Sequence, residues 1–285
     1  MDNLCDEDGK PFVSKVHYSG DLEDSIESAV SVIGGFDNVL DIGDRILLKP
    51  NFNTADPPPA SSDVEAIRAV IRLLYKHGAK EVILGESSTL LASTQKVMEK
   101  IGANKIAKEE GAEIAVFGDR GWRKILVNKK HLNKIELARE VFETDKLVYL
   151  CCLKTHNLAK FSCSLKHIIG LVKPFSRIGW HLNCLEQKIA ESNTVINPDL
   201  LIVDTRKCFI RGGPIKGKVA EPNLILASRN RVALDVEGIK IIKKYKGNSL
   251  RRSPWEYIQI SKAVELGLGP EVLNNVSFYP IDLKN

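Results

Sequence analysis

Apolar positions along the chain follow two alternating rhythms. Short apolar runs of strand length recur at residues 12–18 (FVSKVHY), 45–49 (RILLK), 81–85 (EVILG), 113–117 (EIAVF), 147–153 (LVYLCCL), 200–204 (LLIVD) and 223–227 (NLILA). Between them, apolar residues return at three- and four-residue intervals. Leu22, Ile26, Ala29, Val30 and Ile33 form one such stripe, opened by Asp21 and closed at Gly34-Gly35. Ile67, Val70, Ile71 and Leu74 form another, opened by a Ser62/Glu65 capping box and closed at Gly78. Residues 92–110, 183–195, 231–245 and 254–266 are also helical in pattern, and 125–128 should pair with 134–138. The prolines of 50–62 (PNFNTADPPPASS) and the glycines of 211–219 (RGGPIKGKV) predict loops. Strand–helix alternation of this kind predicts an α/β fold with a mostly parallel sheet and helices on both faces. A length of 285 residues suits one α/β domain over 1–285, with two lobes dividing near 145 as its variant.

The stretch 146–175 (KLVYLCCLKTHNLAKFSCSLKHIIGLVKPF) carries the densest chemistry. It reads as a buried strand, then a polar loop of Lys154, Thr155, His156 and Asn157, then a helix. Phe161, Leu165, Ile168, Ile169 and Val172 make the helix's buried face, and Ser162 and Lys166, four apart, stand together beside it. Other strands end in polar residues as well: Lys49, Asn51 and Asn53; Glu86, Ser87 and Ser88; Asp204, Thr205 and Arg206. In open α/β sheets ligands bind beyond the carboxyl ends of the strands, so these clusters should converge on one cleft.

Within that cleft His156 and Lys166 are the catalytic candidates. Imidazole titrates nearest neutrality, although a loop histidine serves equally well to bond backbone. An amine depressed by burial and by nearby lysines can bind an anion, anchor a cofactor or act as a nucleophile; the competing role is a surface helical lysine. Asn51, Lys154, Thr155, Ser162, Glu86 and Asp204 are the substrate-binding candidates. Glu86 and Asp204 could hold a divalent cation or orient His156 and Lys166, or else pair with Lys49 and Arg206. His167 and His181 read as structural. Asp235, on the apolar face of a late helix, needs a buried partner.

The segments LKPNFN, KTH, FSCSLKHIIGL, NPDLLIVD, GGP and LDVEG, in that order, resemble the "domain of unknown function 362" family over roughly residues 40 to 270. A more distant likeness is to the nickel-pincer lactate racemases, where a His, a Phe-Ser turn and a Lys occur in the same order and the Lys holds the cofactor. Here those positions are His156 and Lys166, with His181 further on; Cys163 and Ser164 replace the glycine-rich form of the turn. The resemblance implies an enzyme of racemase-like proton-transfer chemistry.

Composition narrows the rest. Of ionisable residues 41 are basic and 36 acidic, a net +5 without a basic stripe interleaved with aromatics, which suits a small anionic ligand better than nucleic acid. Apolar runs are strand-sized, so no membrane partner is expected, and a homo-oligomer stays open. Six cysteines (Cys5, Cys151, Cys152, Cys163, Cys184, Cys208) form no C-x-x-C pair, and the polar start carries no secretory pattern, which predicts a reduced cytoplasmic protein. The second functional class, an iron-sulfur or metal-handling redox protein, would draw on those thiols. Adjacent Cys151 and Cys152 on a strand face opposite ways, so buried small hydrophobes is the simpler reading.

Overall fold

The computed structural model describes residues 12–269 and the backbone of 278–280. Cys5 lies outside them. Strands β1 (Val13–His17), β2 (Arg45–Lys49), β3 (Glu81–Glu86), β4 (Glu113–Val116), β7 (Lys146–His156), β9 (Leu200–Gly212), β11 (Leu224–Ser228) and β12 (Phe278–Pro280) form one sheet in the order β12-β1-β11-β9-β7-β2-β3-β4. From β9 to β4 the neighbours run parallel; β11 is antiparallel to both β9 and β1. The mostly parallel sheet is therefore mixed at one side. A separate ribbon pairs β5 (Trp122–Leu126) with β6 (Lys134–Ala138), Ile125 lying opposite Ile135.

Alternation along the strands sends side chains into two cores. Ile46, Leu48, Val148, Leu150, Leu200 and Ile202 pack under α1 (Leu22–Val32), α2 (Val64–Lys76), α3 (Thr94–Ile101) and α4 (Ala103–Glu109). Leu47, Tyr149, Cys151, Leu153, Leu201 and Val203 pack under α5 (Ser164–His167), α7 (Leu185–Ser192), α8 (Arg231–Lys243) and α9 (Ile258–Glu265). Helix α6 (Pro174–Leu182) buries Arg177 and Trp180, three apart on one face. Asp21 caps α1 as expected, accepting from Asp24 N.

Several expectations are corrected. The cap of α2 is Asp63, whose carboxylate accepts from Glu65 N; Ser62 instead turns inward, its Oγ accepting from Asn51 N at 2.9 Å and donating to the Leu150 carbonyl at 3.3 Å. Strand β7 does not stop at Leu153 but runs through Lys154, Thr155 and His156, because β8 (Lys160–Ser162) turns back to pair with it. Ser162 thus ends a strand, and only Ser164–His167 form the short helix α5. The loop expected over 211–219 narrows to 213–216: β9 continues to Gly212 and folds onto β10 (Gly217–Ala220). Backbone pairing carries these strands past the runs that local patterning marks, with Phe161, Cys208 and Ile210 still in the core.

Candidate functional site

The prolongation of β7 builds a cavity of about 50 Å³ at the carboxyl edge of the sheet. Lys49, Asn51 and Glu86 enter from β2, the loop after it and β3; Lys154 and His156 from β7; Ser162 from β8; and Lys166 from α5. Arg177 closes it from α6. Four cations and one carboxylate surround this space, a formal excess of three positive charges. Lys49, Lys154, Arg177 and Glu86 are only 1%, 3%, 7% and 2% exposed, so water screens that excess poorly.

Each charge is held. Lys49 Nζ donates to Glu86 Oε2 at 2.8 Å and to the Pro50 carbonyl at 3.0 Å, while Glu86 also accepts from Phe52 N and Ser87 N. Lys154 Nζ donates to the Ala60 carbonyl at 2.5 Å, as does Asn51 Nδ2 at 3.0 Å, so the proline-rich loop is fastened across β7. Arg177 gives its protons to the carbonyls of Val172, Ser87, Ser88 and Gly170 and to Ser87 Oγ, which makes it a strut rather than a free ligand donor. Burial draws the amines of Lys49 and Lys154 down from the usual lysine range, and Glu86 opposes the drift at Lys49. Gly170 lies against the Lys49–Glu86 pair so closely that a Cβ there would strike both side chains.

Lys166 differs from the others. Burial, then Lys154, Arg177 and Lys49, depress its amine to about 7, so near neutrality it exists both with and without its proton. Asp235 sets its position: this fully buried carboxylate accepts from Ser164 N at 2.7 Å, Ser164 Oγ at 2.6 Å and Leu165 N at 3.1 Å, fixing the start of the turn that carries Lys166. That is the partner Asp235 required, and burial still pushes its carboxyl up to about 6.

His156 is a neutral donor, not a base. Its Nδ1 accepts from the amides of Leu158 and Ala159, both at 3.2 Å, which leaves the proton on Nε2. Burial, with Lys166 and Lys154 nearby, lowers its pKa to about 2. The backbone-bonding alternative for this residue is the observed geometry. His167 is buried against Tyr149 and donates from Nε2 to the Lys49 carbonyl; exposed His181 donates from Nδ1 to the Arg177 carbonyl.

Two candidates fall outside the cavity. Thr155 sits between Lys154 and His156 on a strand, so it points to the opposite face, where its Oγ1 has no hydrogen-bond partner among the described residues. Asp204 lies within β9 rather than at its end; it pairs with Arg206 at 2.7 Å and lines a neighbouring depression with Asp63 and Cys152. Sequence reasoning overlooked Arg177, although Trp180 three residues on marks the inner face it shares.

Among the described residues no three His, Cys, Asp or Glu side chains gather as a metal site. Cys151, Cys152, Cys163 and Cys208 are buried apart from any such group, and Cys184 is exposed. A pincer cofactor on Lys166 does not fit either: the cavity has room for one small charged group, and Nδ1 of His156 is occupied by backbone.

The fold and this cationic edge define a mixed α/β protein with its candidate site at the carboxyl ends of parallel strands. The chain belongs to the domain of unknown function (DUF362) family, whose model matches residues 46–240. A thylakoid-associated protein of Synechocystis sp. is 28% identical over 230 residues, 78% of this chain and 70% of that protein. The lactate racemase apoprotein from Thermoanaerobacterium thermosaccharolyticum aligns at 14% identity and TM-score 0.45, over 69% of this chain and 50% of that one. A Thermotoga maritima protein aligns at 13% identity and TM-score 0.45, over 78% and 57%. The chain thus spans about half the length of those two structures. Among the described residues no helix is long and apolar enough to cross a membrane.

Proposed function

We infer that the protein is an enzyme of small-molecule metabolism acting on an anionic substrate that bears a carboxylate or phosphate group. The observation that carries this reading is the buried excess of positive charge around Lys166. Cations buried with too few counter-charges are costly, and an anion docked among them recovers that cost. The cavity's volume matches a single carboxylate or phosphate group. Lys49 and Lys154 supply field, Ser162 and the Nε2–H of His156 supply hydrogen bonds, and Lys166 supplies an amine poised to exchange a proton at neutral pH. A carbon acid next to the bound carboxylate would pass its proton to Lys166 Nζ, leaving the electron pair on the substrate as an enolate that Lys49 and Lys154 stabilise. Proton transfer of this sort supports the racemase-like reaction class.

The test is titration of the protein with phosphate and short carboxylates at low salt, followed by thermal shift and calorimetry. We expect saturable stabilisation in wild type and its loss in Lys166→Ala. No response to any small anion in the wild type would sink the reading.

A further inference from the structure

A cavity of about 50 Å³ holds one charged group, whereas sites enclosing a whole metabolite run to roughly 300–1,000 Å³. The remainder of a substrate must therefore leave through the mouth. His156 marks the direction, because it lines both the cavity and an open depression of about 430 Å³ beside it.

The two spaces adjoin at His156, and the strand pairings around it place their walls. At the end of β7, Lys154 lies opposite Ser162 of β8 and His156 lies opposite Lys160; on the other side, Phe209 of β9 pairs with Lys154. A bulge in the β9–β10 ladder falls between Phe209 and Arg211, and Arg211 comes to the same depression as His156 and Lys160. Lys154 and Ser162 line the cavity; Lys160, His156 and Arg211 line the depression. One two-residue step of about 7 Å separates these rows. Lys160 and Arg211 are exposed, and buried Leu250 and Tyr257 give the depression an apolar wall; among the described residues no carboxylate lines it, although Glu186 stands near enough for the charge of Lys160 to act on it.

Building on the anion-binding function inferred above, we propose that the substrate is a two-headed anion: one acidic group enters the Lys154–Lys166 cavity and a second, joined by a short apolar chain, lies between Lys160 and Arg211. The cationic row would then select for length as well as charge.

Calorimetry with chain-matched pairs tests this: succinate against butyrate, glutarate against valerate, adipate against hexanoate, and 3-phosphonopropionate against propylphosphonate. At least one doubly headed ligand should bind about five-fold tighter than its singly headed match, as one extra exposed ion pair allows. In the double variant Lys160→Ala/Arg211→Ala that advantage should vanish while singly headed ligands keep their affinity within about two-fold, and about 0.5 M salt should shrink it in the wild type. If singly headed anions bind and no second head helps, or if the double variant keeps the advantage, the second subsite is wrong and the cavity reading stands. If no ligand of either kind binds, the cavity reading itself falls and takes the extension with it.

Discussion

Lys166 is where charge, burial and position meet, and its substitutions separate the roles a lysine can play. Lys166→Ala should abolish anion binding and turnover with little loss of stability, since the residue stands beside rather than within the apolar stripe. Lys166→Arg should keep binding but lose turnover, because guanidinium holds its proton throughout the working range. With the wild-type amine titrating at about 7, affinity for a monocarboxylate should fall by about five-fold or more as pH rises from 6 to 8, the cation being present below 7 and lost above it. The arginine variant should stay flat over that range; a flat wild type would show that Lys166 does not meet the ligand. Glu86→Gln should cost about 3–5 kcal/mol in chemical denaturation, because Lys49 would stay buried beside a neutral group, and Lys49→Met in the same chain should recover most of it. At this scale the sequence was informative but incomplete. It pointed to Asn51, Glu86, Lys154, His156, Ser162 and Lys166, all of which line the cavity. It also included Thr155 and Asp204, because sequence does not show where a strand ends, and strand ends decide which polar neighbours face together.

Strands and helices were legible wherever an apolar run or stripe was long enough to express its period. The stripes of α1 and α2 and the runs of β2, β3 and β11 needed no tertiary information. Legibility failed in β8, α5 and the hairpin of β9 with β10, where three or four residues are too few to express a period and pairing across the sheet decides. The short turn of α5 stands because its neighbours hold it: Asp235 receives its first amides, and Leu165 is wholly enclosed in the core beneath it. Leu165→Ala should therefore lower stability by about 2–5 kcal/mol through lost burial and a cavity, as read from urea unfolding. The same variant should weaken anion binding, since the amine one residue on depends on that turn. A Leu165→Ala protein as stable as wild type would mean that α5 is not packed as described.

Across the whole molecule, the sheet interleaves the chain rather than dividing it. Strand β7 of the second half lies between β9 and β2, while β1 from the first half is placed at the far side on β11. A boundary near 145 would cut the parallel core between β2 and β7. We expect a single unfolding transition, with coincident midpoints from the tryptophans at 122, 180 and 255 and from far-ultraviolet dichroism. Two separated midpoints would indicate lobes that fold alone.

The placement of β1 also bears on how the protein comes into being on the ribosome. Val13–His17 emerge some two hundred residues before their partner Leu224–Ser228, and Asp235 follows later still. Over that interval the nascent strand lacks β11 while the central strands are made. The turn that carries Lys166 gains its buried carboxylate only when α8 has been made, after the residues that wall the cavity have been added to the chain.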